Sequence, residues 1–158
     1  MDEALAAMEP LWGPADLVSD VMNFDFTHYY DRQMGQPLYR RFAGFERLVS
    51  PESLVEAKLS ANRLESELAA RHADGPPRPI NLDPGYLETS KLVLASMKNF
   101  AHRLYLGRGV YGEVTLLARH GRWEALPWTF PDYASGRYHE FLERSRQRLR
   151  RQLREQAT

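Results

Sequence analysis

The strongest candidate for chemistry in this sequence is a set of polar side chains that alternate along two predicted strands. If residues 102–125 form three antiparallel strands, one sheet face carries Arg103, Tyr105, Tyr111, Glu113, Thr115 and Glu124. A guanidinium, carboxylates, phenols and a hydroxyl on one face can bind a small anionic ligand through charge-assisted hydrogen bonds. The alternative is a solvated sheet face on which Arg103 and Glu113 form an ordinary cross-strand ion pair.

His102 and Glu113 are the candidates for proton transfer, because imidazole and carboxylate groups serve most often as enzymatic acids and bases. In the predicted register His102 falls on the apolar face, so the alternative is a satisfied histidine at the edge of the core. The other four histidines, His28, His72, His120 and His139, lack ligand spacing such as i, i+4, and the sequence contains no cysteine. No metal site is therefore predicted, and no cofactor can be assigned.

Two adjacent arginines, Arg40 and Arg41, could clamp a phosphate or carboxylate. The alternative, which we favour, is that they form a surface ion pair with Glu46 or Asp31.

Asp83 precedes Pro84 and Gly85, so its carboxylate either enters a site or caps the helix that we expect to begin there. Lys91 and Lys98, one heptad apart, either bracket an anion or form a solvated stripe on that helix. The candidate ligand-binding residues are therefore Arg40, Arg41, Asp83, Lys91, Arg103, Tyr105, Glu113 and Thr115.

The predicted strands position these groups through their register, because a shift of one residue exchanges the two faces. A three-residue loop at 107–109 pairs Leu106 with Val110, Leu104 with Gly112 and Arg103 with Glu113. A two-residue loop at 120–121 pairs Ala118 with Trp123 and Leu116 with Ala125. The opposite face is then apolar and should meet the core through Leu104, Leu106, Val110, Val114, Leu116, Ala118 and Trp123.

The remaining periodicity predicts helices over 2–12, 50–71, 83–100 and 135–155, the last capped by Ser135, and strands within 17–26, 38–49 and 80–82. We therefore expect an α+β fold with an antiparallel or mixed sheet of about five strands and three or four helices, mainly on one face. The 158 residues should form a single domain, 1–158.

Composition excludes several function classes. The chain has 21 basic and 21 acidic residues, so its net charge suggests neither nucleic acid nor an anionic membrane as a partner. It lacks an apolar run of about 20 residues and a basic signal sequence, which favours a cytoplasmic protein. It also lacks a P-loop, an Asn-Lys-x-Asp guanine motif, a G-x-S-x-G elbow and a G-x-G-x-x-G that opens a helix.

The C-terminal helix is locally basic, with six arginines between Arg144 and Arg154 and no acid among them. This patch could contact RNA or an acidic partner. The alternative, which we favour, is a solvated helix end whose cations complement the helix dipole.

Four ordered blocks, FDFTHYYDRQMGQPLYRRFAGFERLV, NLDPGYLETSKLVLAS, HRLYLGRGVYGEVTL and LPWTFPDY, resemble the bacterial family called domain of unknown function 4416. The resemblance covers roughly residues 10–142 and implies no established activity. Members sometimes carry the label GTP-binding, which the missing guanine motifs do not support. Members usually begin with a strand before the first helix, whereas this sequence starts inside that helix, so one sheet edge is expected to be absent or differently paired.

The resemblance places most of the candidate residues inside the signature blocks, which suggests either a shared pocket or a shared buried ion-pair network. The first function hypothesis is a protein that binds a small anionic, nucleotide-like ligand through the polar sheet face and Arg40 and Arg41. Any catalysis would use His102 or Glu113, in hydrolytic or phosphoryl chemistry with a bound cation. The second hypothesis is a non-enzymatic interaction module that uses the arginine-rich helix on RNA or an acidic partner.

Overall fold

The computed structural model describes residues 1–27 and 29–157, and it confirms the predicted α+β class. These residues contain one five-stranded antiparallel sheet, two smaller two-stranded sheets, three helices of 11 or 18 residues and two helices of four. The chain forms two compact units, Met1–Leu82 and Asp83–Thr158. The expectation of a single domain over 1–158 stays a prediction.

The first unit contains three helices and two short strand pairs. In chain order its elements are α1 (Asp2–Trp12), β1 (Ala15–Val18), β2 (Met22–Asn23), α2 (Asp31–Met34), β3 (Tyr39–Arg40), β4 (Ala43–Phe45), a 3-10 turn (Pro51–Ser53) and α3 (Leu54–Arg71). Strand β1 pairs antiparallel with β4, and β2 with β3. The segments 17–26 and 38–49, each predicted to contain a strand, therefore each include residues of two short strands.

Helices α1 and α3 form where the sequence predicts them. Gly13, at a positive φ of 88°, and Pro14 end α1, while Pro51 fixes the backbone at the start of the turn that leads into α3. Both helices bury one apolar stripe in a shared core of Ala4, Ala7, Met8, Trp12, Ala61, Leu64, Leu68, Ile80 and Leu82. Ile80 and Leu82 belong to this core, and the strand expected over 80–82 is absent.

The second unit is built on the five-stranded sheet. Its elements are β5 (Gly85–Leu87), β6 (Lys91–Ser96), β7 (Leu104–Gly107), β8 (Val110–Arg119), β9 (Arg122–Ala125), α4 (Pro131–Ala134) and α5 (His139–Gln156). The strand order is β5-β6-β8-β7, and β9 pairs with the second half of β8. Strand β8 therefore bonds to three neighbours and is the centre of the sheet.

The predicted helix over 83–100 is wrong, because β5 and β6 occupy this segment as a hairpin. The four consecutive residues from Leu92 to Ala95 are all buried, so both faces of β6 are covered. A short, continuous apolar run is typical of a fully buried strand, but it also matches part of a helical stripe. Met97 and Phe100, at the end of the segment predicted as a helix, are exposed in the connection after β6.

The register of the hairpin between β7 and β8 was predicted correctly at its centre. Leu104 lies opposite Gly112, and β9 pairs Ala118 with Trp123 and Leu116 with Ala125. The loop itself is different, because Arg108 and Gly109 form a two-residue turn with φ of 54° and 81° and Gly107 lies opposite Val110. Leu106 is consequently left in a bulge instead of facing Val110.

The prediction that this sheet has one apolar face in the core and one polar face opposite it is wrong in part. Leu104 is 74% exposed and Leu106 is also exposed, because β7 is the edge strand and little covers it. Glu113 and Thr115, which were placed on the polar face, are buried. The centre of the sheet is therefore covered on both sides, whereas its β7 edge is open on the side expected to meet the core.

The C-terminal helix α5 begins at His139, later than predicted. Ser135 ends the short helix α4 instead of capping α5, and its hydroxyl donates to the Asp132 carbonyl. The buried Tyr138 immediately precedes α5, and its hydroxyl donates to the Asp132 carboxylate. Of the six arginines in this region, Arg146 is buried, and its Nε donates to the Thr89 carbonyl at 2.7 Å.

We expect Trp123→Ala to lower the free energy of unfolding by about 3–5 kcal/mol, since a large aromatic side chain leaves a packed site. Trp123 is 5% exposed on β9. Leu104→Ala, a truncation on the exposed edge strand, should change stability by no more than about 0.5 kcal/mol. Urea unfolding of both variants checks this, and a large loss for Leu104→Ala would contradict the open edge.

Candidate functional site

A buried carboxylate on the central strand is the core of the site. Glu113 lies on β8 and is 3% exposed. Its Oε2 accepts a hydrogen bond from Arg103 Nε at 2.6 Å and lies 2.9 Å from His102 Nε2. The predicted pairing of Arg103 with Glu113 is confirmed, although His102 joins the same oxygen instead of facing the apolar side.

The Arg103 guanidinium connects three parts of the second unit. Its Nη1 donates to Ser96 Oγ, at the end of β6, and to the Lys98 carbonyl, both at 2.9 Å. Within residues 1–27 and 29–157, its Nη2 makes no hydrogen bond. The cation is thus held in one orientation while one of its nitrogens keeps its donors for another acceptor.

The hydrogen bond to Glu113 determines which ring nitrogen of His102 carries the proton. A carboxylate that also accepts from a guanidinium is an acceptor only, so Nε2 carries the proton in the bond to Glu113. The second ring nitrogen, Nδ1, has no hydrogen-bond partner among the described residues. Nδ1 is therefore a proton acceptor in the neutral ring and a donor in the charged ring.

Aromatic side chains hold the imidazole from two directions. The Trp128 ring stacks on His102 at a centroid distance of 5.3 Å and an interplanar angle of 7°, and Phe100 lies 5.3 Å away at a tilt. Trp128 is itself fixed, because its Nε1 donates to the Val114 carbonyl at 2.9 Å. The imidazole is therefore positioned by a hydrogen bond and by ring contacts.

Two buried oxygens near the centre of β8 have no partner in the described part of the chain, namely Glu113 Oε1 and Thr115 Oγ1. Buried polar atoms normally form hydrogen bonds, and an unsatisfied one costs about 1–3 kcal/mol. One is a carboxylate acceptor and the other can donate, so a water molecule or a polar ligand group between or beside them would satisfy these atoms.

The other candidates in the second unit take different positions. Tyr105 is 63% exposed on the edge strand and contacts the Tyr111 ring at 5.3 Å, as expected for neighbours on one face. Lys91 starts β6 instead of lying on a helix, and its Nζ donates to Glu88 at 2.6 Å. That hydrogen bond to a carboxylate raises the pKa of Lys91 above its ordinary value. Asp83 is exposed before β5, and no helix begins there.

The two adjacent arginines lie in the first unit and already have partners. Arg41 donates to Asp2 at 2.6 Å and to the Ser19 carbonyl at 3.2 Å. The Arg40 guanidinium lies over the Phe24 ring, 4.5 Å from its centroid. Asp2 is thus a carboxylate partner of Arg41, and the face of Phe24 is a cation–π partner of Arg40.

The remaining histidines do not assemble a metal centre in the part of the chain that is described. His28 lies outside the described residues. Elsewhere, no group of three or more histidine or acidic side chains is arranged to hold a metal ion. Over the same residues, no helix has both the length and the apolar surface required to span a bilayer.

Sequence reasoning missed three members of the site. Ser96 and Phe100 both lie in the segment 83–100, which was predicted to be a helix. Trp128 lies in a proline-broken segment whose alternation carries no facing information, so no signal linked it to His102. The bond from Trp128 Nε1 to the β8 backbone depends on tertiary structure alone.

Together these features define an α+β protein with a buried glutamate–arginine–histidine cluster on an antiparallel sheet. The chain belongs to the family described as Domain of unknown function (DUF4416), whose model matches residues 1–149. No curated protein and no solved structure matches the chain.

We expect Arg103→Met to lower stability by about 3–5 kcal/mol, because it leaves the Glu113 charge buried without its cation. The double variant Arg103→Met with Glu113→Leu should lose less than the sum of the single losses, since neither charge then remains. Urea unfolding of the four proteins gives the coupling energy. Arg119→Met, on an exposed arginine at the end of β8, is the matched control. Strictly additive losses would contradict a coupled buried pair.

Proposed function

We propose that the protein binds a small anionic, nucleotide-like ligand at the cluster of Arg103, His102 and Glu113. One observation carries this proposal. Arg103 and His102 are both anchored to one buried carboxylate oxygen, and each keeps one nitrogen, Nη2 or Nδ1, without a partner among the described residues.

This geometry favours binding because the donors are already ordered. An anion that meets a flexible arginine must first immobilise a side chain with many rotamers, which costs about 0.5–1.5 kcal/mol. Here the bonds to Ser96, Lys98 and Glu113 already hold the guanidinium. A phosphate or carboxylate can then accept from Nη2 without that loss.

The aromatic surroundings support a ligand that carries a ring. Trp128 and Phe100 flank His102, and both have large exposed fractions, 39% and 65%. Exposed aromatic faces beside a cation are suited to stacking a nucleobase, at about 1–3 kcal/mol per base. Positively charged and aromatic groups together favour a nucleotide-like ligand over an inorganic anion.

The cluster also contains groups that transfer protons. A carboxylate that orients a histidine through one nitrogen leaves the other nitrogen as a base, as in many hydrolases. We therefore propose hydrolytic or phosphoryl chemistry as the first reaction class to assay, with His102 and Glu113 as the proton-transfer groups. We place the protein in the cytoplasm of a bacterial cell, on the basis of its composition and family resemblance.

Native mass spectrometry of the freshly purified protein, followed by titration with nucleoside phosphates and inorganic phosphate, tests the binding. Arg103→Met should abolish binding of the retained ligand, because the charged donor is removed. The double variant with Glu113→Leu, which removes both charges together, should also fail to bind while remaining folded. Arg119→Met should bind normally. Unchanged affinity in the folded double variant would refute this site.

A second candidate function is RNA binding by α5. Arg144, Arg150 and Arg151 are exposed on this helix, whereas Arg146 is buried. If α5 binds RNA, affinity should fall steeply with salt, because each neutralised phosphate releases counterions. Replacing Arg144, Arg150 and Arg151 with Gln should reduce that slope by up to about three. We expect no such RNA binding, and unchanged ligand affinity in the triple variant. Filter binding at several salt concentrations decides between the two functions.

A further inference from the structure

With a single proton on the His102 ring, the cluster of Arg103, Glu113 and His102 has no net charge. Arg103 contributes one positive charge and Glu113 one negative charge. An anion that enters this partly buried site would therefore leave a net negative charge, which is costly away from bulk water. A further positive charge is needed close to the anion if it is to bind well.

His102 is the group placed to supply that charge. Its neighbours across the cluster are the Glu113 carboxylate on β8 and the Arg103 guanidinium before β7. Phe100 and Trp128 are uncharged, and the exposed Lys98 contributes its carbonyl to Arg103 and carries an ammonium group. Of the side chains bonded to Glu113, only the imidazole can hold either one proton or two and so add a positive charge.

The ring orientation directs the added proton to one atom. Nε2 already donates to Glu113, so a second proton can be taken up only at Nδ1, which has no partner in the described residues. Protonation at Nδ1 creates a charge-assisted donor at the nitrogen that faces away from Glu113. It also strengthens the Nε2 bond to the carboxylate, because both partners of that bond are then charged.

We propose that anion binding at this site is coupled to the uptake of one proton by His102 Nδ1, so that His102 is a ligand-contacting residue. In the complex, Nδ1–H and Arg103 Nη2 donate to the anion, while Glu113 balances one of the two positive charges. This inference rests on the proposed function and specifies its ligand as a small oxyanion that binds together with a proton.

Calorimetry in buffers of different ionisation enthalpy measures the coupling directly. The probe is 3′,5′-cyclic adenosine monophosphate, a nucleotide whose single negative charge does not titrate near neutral pH. For the wild-type protein, the heat of binding should depend on the buffer with a slope that indicates uptake of up to one proton. Over the same pH range, affinity should fall by up to about tenfold per pH unit as pH rises, the limit for one proton.

His102→Gln is the decisive variant, because the Gln Nε2 can still donate to Glu113 but the side chain cannot titrate. It should bind the probe with no proton uptake and no dependence of affinity on pH. The matched control is His72→Gln, which alters an exposed histidine whose Nε2 lies 2.6 Å from Glu3. This control should keep the uptake of the wild-type protein. Thermal melting checks that both variants are folded.

The outcomes separate the inference from the proposed function. Binding without proton uptake in the wild-type protein overturns the inference and leaves the ligand site in place. Proton uptake that persists in His102→Gln assigns the proton to another group and also overturns it. If the wild-type protein does not bind the probe, both the inference and the nucleotide-like site fall.

Discussion

The buried charge of Glu113 is the constraint on which much of the second unit depends. An isolated carboxylate at this depth would lose several kcal/mol of hydration, so the chain must bring cations to it. Arg103 and His102 reach the same oxygen only if the connection after β6 returns across the sheet. Hydrogen bonds from Arg103, at the end of that connection, to Ser96 and Lys98, at its start, then join its two ends. The ion pair and these hydrogen bonds hold the connection after β6 in place. The connection therefore does not depend on burying Phe100, which is exposed.

An irregularity in β8 links the centre of the sheet to the imidazole. Thr115 has no Cα partner on β6, because the register shifts between Leu92 and Val93. The carbonyl groups at this point accept from the segment after β9: Trp128 Nε1 bonds to Val114, and Thr129 Oγ1 bonds to Thr115. These bonds place the indole where it stacks on His102. β-Bulges often occur next to functional sites, where they change the direction of side chains. Here the bulge lies where the β8 carbonyls fix the Trp128 ring against His102.

Local patterns predicted the parts of this structure that depend on neighbours in sequence. Alternation and glycine turns placed Leu104 opposite Gly112 and Arg103 beside Glu113. Proline and glycine signals located α1 and α3. The run from Leu92 to Ala95 was misassigned because its apolar residues suit a helix and a central strand alike. Burial of Thr115 and exposure of Leu104 could not be predicted, since they depend on which elements cover each strand. For the same reason Ser96 and Trp128 could not be linked to Arg103 and His102.

Two histidine–glutamate pairs in this chain show that environment, more than residue type, determines what such a pair can do. His72 and Glu3 lie 2.6 Å apart with about half of each side chain exposed, so water and salt screen the interaction and it contributes little. His102 and Glu113 have nearly the same chemistry, but the carboxylate is almost fully enclosed and shared with Arg103. There, the charges interact at low effective dielectric, so an anion bound beside them would interact strongly with each one. Burial and the shared Arg103 therefore make the His102–Glu113 pair suited to respond to a bound anion, whereas the exposed His72–Glu3 pair is screened.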